Sequence, residues 1–227
     1  ALFKNDQAMT VVVSIILVYT SLNICGNLVL YFFRFDVGNE GAYSIFAAVA
    51  FAAQVLVMMV IPLLRKRFSK SQLFISGFII QIAGFAVILI MAFAKLYTPQ
   101  SWYILCLPGI LIYLGYGMLN VIMTIFLSDS VDYGEVMNGT REESVIFSMQ
   151  TFTVKLASGV AVFLAGLVVD WIHLDTAAAV QTQDTLDALR MWMTIPSVIL
   201  LIVGIFVFKR FYKLDDTRME EIKSKLN

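Results

Sequence analysis

Six long apolar segments dominate the sequence and limit the folds that it can adopt. Hydrophobic residues make up 60% of the chain and charged residues 14%, whereas soluble domains carry about 25% charged residues. Because lipid cannot hydrogen-bond an open backbone, apolar segments of about 20 residues are expected to cross a membrane as α-helices. The charged residues that separate these segments place the six spans at about 8–33, 43–64, 71–94, 102–128, 144–169 and 190–208.

The predicted fold class is an all-α membrane protein. It consists of a six-helix transmembrane bundle over residues 1–208 and a tail over 209–227. The connections 129–143 and 170–189 are polar and the longest of the bundle. Spans 1 to 3 and 4 to 6 have opposite topology because three is odd, and this pattern fits the inverted repeats of secondary transporters.

Basic residues are distributed unevenly between the two sides of the predicted bundle. Most of the 16 Lys and Arg residues fall on the side that carries both termini, whereas Arg34, Lys95 and Arg190 fall on the other. The positive-inside rule therefore predicts cytoplasmic termini. The chain starts with ALFKNDQ, without an initiator Met or a signal peptide, which suggests a piece of a longer protein. The formal net charge is zero, which gives no indication of a nucleic-acid partner.

Lys155 is predicted to lie near the middle of the fifth span. It is separated from the two ends of that span by roughly 16 and 22 Å of helix rise, too far for its side chain to reach the headgroups. A charge at that depth costs about 3 kcal/mol on insertion scales. The predicted spans contain no Asp or Glu in their interior. The counter-charge must therefore come from another polypeptide segment or a bound substrate, unless burial removes the proton.

Small and polar residues accompany Lys155 along one face of its helix. They recur at helical spacing and are Ser148, Thr151, Ser158, Gly159, Val162 and Gly166. This face is expected to contact protein or water, not lipid. Helix packing through small residues is the favoured interpretation of Ser158, Gly159 and Gly166. Packing does not require an ammonium group, so a functional role is favoured for Lys155.

Two further polar stripes are predicted inside the bundle. The first span carries Tyr19, Asn23 and Asn27 at intervals of four. The fourth span carries Tyr113, Tyr116, Gly117, Asn120 and Thr124 on one side. Amides, hydroxyls and aromatic rings suit a sugar, but they also join membrane helices by hydrogen bonds. The two interpretations remain open.

Motifs of hydrolytic and metal chemistry are absent from the sequence. It has one histidine, His173, and no GxSxG, HExxH or CxxC motif. We therefore expect no enzyme activity, no catalytic residue and no metal site.

The segment SDSVDYGEVMNGTREESVIFSMQTFTVKLASG resembles the glycoside-pentoside-hexuronide:cation symporters, the melibiose permease group of the major facilitator superfamily. The opening KNDQ and the tail FKRFYKLDD also resemble this family, so the resemblance covers essentially the whole chain. The matching elements are Asp129, Val131-Asp132-Tyr133-Gly134-Glu135, Arg141, Phe147-Ser148, Gln150-Thr151 and Lys155.

The resemblance implies a protein of twelve spans, of which this sequence corresponds to the last six. The partner is then an N-terminal six-helix half that holds most of the site for the coupling cation, Na+ or H+. No covalently bound cofactor is implied. Lys155 is expected beside both cation and sugar, and Gln150, Thr151 and Val154 near the sugar. The stripes add Tyr116, Asn120, Asn23 and Asn27 as candidate sugar ligands.

One departure from the family concerns the sugar itself. Asn120 stands where the melibiose permease has a sugar-stacking tryptophan, so the particular sugar cannot be carried over. The resemblance also implies a cytoplasmic gate that contacts the other half. Its expected members are Asp129, Asp132, Tyr133, Glu135 and Arg141.

The expected function is cation-coupled symport of a sugar or glycoside by alternating access, in the lipid bilayer of a bacterial plasma membrane. Two alternatives remain. The chain could be a self-contained six-span protein that forms a homodimeric carrier or pore, or a sugar sensor that does not transport. An intramembrane enzyme is disfavoured because no nucleophile is paired with a base.

Overall fold

Six helices of membrane-spanning length form the protein in a computed structural model that describes residues 5–226. Each is long and apolar enough to cross a bilayer, which confirms the all-α prediction. The helices are α1 Asp6–Tyr31, α2 Ala42–Leu64, α3 Lys70–Phe93, α4 Cys106–Asn138, α5 Glu143–Trp171 and α6 Gln183–Phe211, followed by a short α7 Asp216–Leu226. A π-helical turn, Phe32–Asp36, prolongs α1, and a 3-10 turn, Trp102–Leu105, precedes α4.

At three places the helices extend beyond the predicted membrane spans. The connection 129–143 is mostly helical, because α4 continues to Asn138 and ends only at Gly139, whose φ of 72° is left-handed. The connection 170–189 is shorter than predicted because α6 begins at Gln183. The region 209–227 contains the end of α6 and all of α7. Polar residues mark where a helix leaves the hydrocarbon, but they do not end the helix.

The packing of the helices agrees with two inverted three-helix repeats. Helix α1 packs against α5 and α6, α4 packs against α2 and α3, and further contacts join α3 to α6 and α1 to α4. Exchanging the first three helices with the last three in order reproduces this same set of contacts. This is the relation expected of structural repeats in secondary transporters.

The two ends of the bundle differ in what they carry. Following the predicted orientation, we call inner the end that carries the α2–α3 connection, the α4–α5 connection and α7. The end called outer carries the α1–α2, α3–α4 and α5–α6 connections. Helix α7 lies against the inner end of α4, where Leu214, Met219 and Ile222 are buried against Tyr133 and Val136.

Glycines bring α3 and α4 into close contact. A Cβ atom on Gly115 of α4 would lie 2.5 Å from the carbonyl oxygen of Gly77 and 2.6 Å from the backbone nitrogen of Gln81. Both neighbours are backbone atoms, which cannot rotate away. Close approach through small residues is a usual mode of helix association in membranes.

We therefore expect Gly115→Ala to destabilise the bundle. The added methyl must push α3 and α4 apart, at a cost of about 1–3 kcal/mol. The midpoint of thermal unfolding in detergent measures this loss. Gly159→Ala is the matched control, because a Cβ at Gly159 meets no atom within 4 Å. Equal unfolding midpoints for the two variants would contradict the close contact.

Candidate functional site

Helix α5 exposes the face that carries Lys155. Thr151 and Lys155 are exposed, and Gln150 and Val154 are half-buried. The opposite face, with Thr153, Ala157, Ala161 and Ala165, is buried where α5 packs against α1. Ser158, Gly159 and Gly166 therefore do not mediate packing between helices of the described chain. Positions 159 and 166 have no atom within 4 Å of an added Cβ.

Lys155 has no ion-pair partner among residues 5–226. It also takes part in no hydrogen bond that the described residues make. Its hydroxyl neighbour Thr151 donates to the carbonyl oxygen of Phe147 at 3.3 Å and leaves the ammonium unpaired. This arrangement agrees with the expectation that the chain supplies no counter-charge for Lys155 at its depth in the membrane.

The predicted stripes of α1 and α4 meet in the middle of the bundle. The amide nitrogen of Asn120 donates to the hydroxyl of Tyr19 at 2.6 Å. The rings of Tyr19 and Tyr116 pack edge to face with centroids 5.5 Å apart. Asn23 donates to the carbonyl oxygen of Tyr19, and Asn27 donates to that of Asn23, each at 2.7 Å. We call Tyr19, Asn23, Asn27, Tyr116 and Asn120 the polar cluster.

The polar cluster joins helices and still offers acceptors. The amide nitrogens of Asn23, Asn27 and Asn120 each use one N–H, so a second N–H and the amide oxygen of each remain for a ligand. Sugar hydroxyls donate to such oxygens. The structure therefore brings four candidate sugar ligands, Asn23, Asn27, Tyr116 and Asn120, together with Tyr19. It does not connect them with Lys155, Gln150 or Val154 by any hydrogen bond within the described chain.

The predicted gate residues separate into two groups at the inner end. Arg141 binds Asp132 at 3.0 Å, Glu135 at 2.8 Å and Glu143 at 3.2 Å on the exposed surface. Their hydrogen bonds raise the pKa of Arg141 above its ordinary value, with Glu135 the largest contributor. Arg141 therefore remains protonated, and the group keeps an excess of carboxylates.

Asp129 belongs to a different, buried group. Its carboxylate pairs with Lys70, and both side chains are almost fully buried. Lys70 also lies 3.4 Å from Asp216 of α7, which in turn pairs with Arg65 at 3.2 Å. Asp129 therefore fixes the α2–α3 connection to α4, and α7 is attached to the same group. Tyr133 packs against α7.

The pKa of Asp216 predicts how the attachment of α7 depends on pH. Partial burial raises that pKa, but the hydrogen bond from Arg65 and the charge of Lys70 lower it further, to below its ordinary value of 3.8. Because the folded-state pKa is the lower one, the carboxylate stabilises the docked helix above the unfolded-state value. That stabilisation is lost as the pH falls through the folded-state value.

We expect amide hydrogen exchange of α7, corrected for intrinsic rates, to rise between neutral pH and about pH 3. Asp216→Asn should show the faster exchange already at neutral pH. Glu220→Gln, which neutralises an exposed carboxylate of the same helix, is the matched control. Exchange in Asp216→Asn equal to that of the unaltered protein would contradict the role of this ion pair.

A buried ion pair at the outer end was missed by the sequence analysis. The guanidinium of Arg190 donates to Asp36 at 2.8 and 2.5 Å, and the hydroxyl of Tyr97 donates to the same carboxylate at 2.7 Å. The side chains of Arg190 and Asp36 are 3% and 4% exposed. Asp187, three residues before Arg190, accepts a further bond at 2.7 Å.

The predicted spans contain no carboxylate, but two of the helices extend beyond their spans and carry a buried carboxylate there. The π-helical turn extends α1 to Asp36, and α4 includes Asp129. For the first, the available signal was Asp36 directly after the aromatic-rich segment YFFRF. Both carboxylates already have cationic partners, Arg190 and Lys70. Neither neutralises Lys155.

Comparison with known proteins identifies the class to which this architecture belongs. A family model described as MFS/sugar transport protein matches residues 1–216, so the chain belongs to that family of membrane transporters. The resemblance to the glycoside-pentoside-hexuronide:cation symporters is confirmed.

Individual relatives are similar along nearly the whole chain. The uncharacterized symporter YjmB of Bacillus subtilis is 26% identical over 98% of this chain and 47% of its own length. The raffinose carrier protein of Pediococcus pentosaceus is 22% identical over 100% of this chain and 34% of its own. The isoprimeverose transporter of Lactiplantibacillus pentosus is 25% identical over 93% and 43%. The chain spans half or less of the length of these relatives.

Proposed function

We propose that this chain forms one half of a cation-coupled sugar symporter of the bacterial plasma membrane. The carrying observation is the exposed face of α5, on which Lys155 has no carboxylate partner within residues 5–226. An ammonium group inside the membrane is stable only where a charged partner or water offsets the cost of its desolvation. An N-terminal six-helix half that holds the cation-binding carboxylates supplies that partner, and the names of the relatives point to sugars.

In this proposal Lys155 acts as an electrostatic switch beside the cation site. When the site is empty, the ammonium occupies the negative field of the other half. When the cation binds, like-charge repulsion displaces the ammonium, which becomes available to hydrogen-bond the sugar. Binding of the two ligands is then coupled through one charge. The membrane potential contributes about 2.3 kcal/mol per translocated charge per 100 mV.

The sugar is proposed to bind between the polar cluster and the Lys155 face of α5. The amide oxygens of Asn23, Asn27 and Asn120 accept from its hydroxyls. Tyr116 is buried, with its ring against Tyr19, and supports the polar cluster instead of stacking on the sugar. Gln150, Thr151 and Val154 complete the site from α5. Because Asn120 also holds Tyr19 at 2.6 Å, sugar binding and the α1–α4 contact share one side chain.

The two halves are proposed to rock about this site, with both termini of the chain in the cytoplasm. At the inner end, the excess of carboxylates around Arg141 is suited to cationic groups of the other half. Such pairs form when the inner side is closed and separate when it opens. Asp132, Glu135 and Tyr133 belong to this gate, whereas Asp129 is proposed to support it through Lys70.

The test is uptake by the full-length protein in proteoliposomes with an imposed Na+ or H+ gradient. Labelled raffinose and isoprimeverose, the sugars in the names of two of the relatives, form the first panel. Accumulation above the external concentration, abolished by an ionophore for the coupling ion, is the expected result. Binding without accumulation would indicate a sensor, and accumulation by residues 1–227 alone would indicate a self-contained carrier. Both results contradict the proposal.

A further inference from the structure

A groove between α1 and α5 opens at the outer end of the bundle. Its volume is about 540 Å3, and its polar and aromatic lining consists of Asn27 and Tyr31 from α1 with Phe163 and Asp170 from α5. Gly166 also lines it. Asn27 is the one residue that the groove shares with the polar cluster, so the groove is a continuation of that cluster towards the outside.

The groove lies on the same face of α5 as Lys155 but far from it. Ser158, Val162, Gly166 and Asp170 follow Lys155 at intervals of three and then four, which places them along one side of the helix. The rise from Lys155 is roughly 16 Å to Gly166 and 22 Å to Asp170. One ligand cannot contact both Lys155 and Asp170 unless it is several sugar rings long. The groove therefore continues the proposed sugar site away from Lys155, and Asn27 is common to both.

The chemistry of the groove is that of a carbohydrate site. Asp170 is exposed and forms no ion pair with the described cations, so its two oxygens can accept from a pair of vicinal hydroxyls. One N–H of Asn27 is used, which leaves its second N–H as a donor and its oxygen as a further acceptor. Phe163 is 66% exposed, and Tyr31 offers a second ring. Aromatic rings beside a few fixed polar groups recognise the apolar faces and hydroxyl edges of a pyranose.

We propose that this groove is an outer sugar subsite, where a pyranose docks before it reaches the site beside Lys155. The proposal rests on the proposed function. A cation fits the groove less well, because its lining contains one carboxylate. Among residues 5–226, moreover, no group of three or more His, Cys, Asp or Glu side chains could hold a metal ion.

Gly166 provides a way to fill the subsite without disturbing the fold. A Cβ added there meets no atom within 4 Å. Gly166 also lies outside the buried face of α5, which carries Ala157, Ala161 and Ala165. Gly166→Leu therefore places an apolar side chain in the groove. Asp170→Asn removes the charge but keeps the shape. Asp184→Asn is the matched control, because Asp184 is also exposed, near the start of α6, and does not line the groove.

The experiment measures sugar binding to the purified full-length protein by titration calorimetry, together with the kinetics of uptake. We expect two classes of sugar site in the unaltered protein and in Asp184→Asn. Gly166→Leu and Asp170→Asn should each lose the outer class. Their KM for sugar should rise about tenfold while kcat stays within about twofold, because the outer subsite contributes to capture and not to translocation.

Several results would overturn the proposal. A single class of sugar site in the unaltered protein would refute the subsite, and so would two classes in Asp170→Asn. Either result leaves the proposed function intact. A raised KM for the coupling cation, with an unchanged KM for sugar, assigns the groove to the cation. A fall of kcat in both groove variants assigns it to contacts between helices. If the unaltered protein binds no sugar at all, the proposed function fails together with the subsite.

Discussion

Lys155→Val in the full-length protein is expected to abolish coupled sugar accumulation. Internal sugar should not exceed the external concentration, and the initial rate of gradient-driven uptake should fall by roughly 100-fold, the effect of losing about 3 kcal/mol of electrostatic stabilisation. The reason is that Lys155 is exposed on α5 and has no carboxylate partner within the described chain. Removing its charge uncouples the sugar from the cation. Uptake of labelled sugar into proteoliposomes, with and without the gradient, measures the effect.

The same substitution should leave the folded protein intact. Valine replaces a charge whose insertion costs about 3 kcal/mol, and residue 155 is not part of the face buried in the contact with α1. Expression and the midpoint of thermal unfolding should therefore equal or exceed those of the unaltered protein. This result separates a role in transport from a role in structure, since a structural lysine would lower both.

Two variants serve as controls for Lys155→Val. Lys155→Arg keeps a positive charge and should retain part of the coupled uptake. Lys209→Val removes an exposed cation at the end of α6 and should transport normally. Gradient-driven accumulation by Lys155→Val equal to that of the unaltered protein would refute the electrostatic role of Lys155.

Asp36→Ala is expected to cause the largest loss of stability. The Asp36 side chain accepts two bonds from Arg190 and one from Tyr97, and the guanidinium is 3% exposed. Without Asp36, Arg190 keeps its charge in a buried position with only Asp187 to bind. Breaking a buried pair from one side costs about 3–5 kcal/mol. Thermal unfolding of the purified protein in detergent should show a clearly lower midpoint.

Removing both charges tests whether the loss arises from the unpaired guanidinium. In Asp36→Leu with Arg190→Met, neither position carries a charge, and apolar side chains of similar volume fill the space. Such replacements of buried pairs are often neutral or stabilising, so the double variant should recover most of the lost stability. Asp187→Ala is the milder control because Asp187 is 36% exposed. An Asp36→Ala protein with an unchanged midpoint contradicts the proposed cost of the unpaired charge.

The polar cluster shows how far the candidate site could be predicted. Each stripe followed from helical spacing alone, because residues four apart lie on the same side of a helix. The bond between Asn120 and Tyr19 could not be predicted, since the two residues are 101 positions apart and spacing carries no information about which helices meet. For the same reason Asp129 was assigned to the gate with Arg141, although its partner is Lys70.

The face of α5 that packs inside the chain could also not be chosen from the sequence. Two rows of small residues run along this helix. One contains Ala157, Ala161 and Ala165, and the other contains Ser158, Gly159 and Gly166. Either row allows a neighbouring helix to approach closely. The structure shows that the alanine row is buried, which leaves the other row, with Lys155, on the open side.

The sequence alone determined the six membrane helices and the isolation of Lys155. Both follow from local properties, the length of apolar runs and the energetic cost of a charge in hydrocarbon. Only the tertiary structure decided which charges are buried in pairs, which face of α5 is open, and where a groove lies between α1 and α5. These depend on distances between residues remote in the chain, and those distances are set by the packing of whole helices against one another.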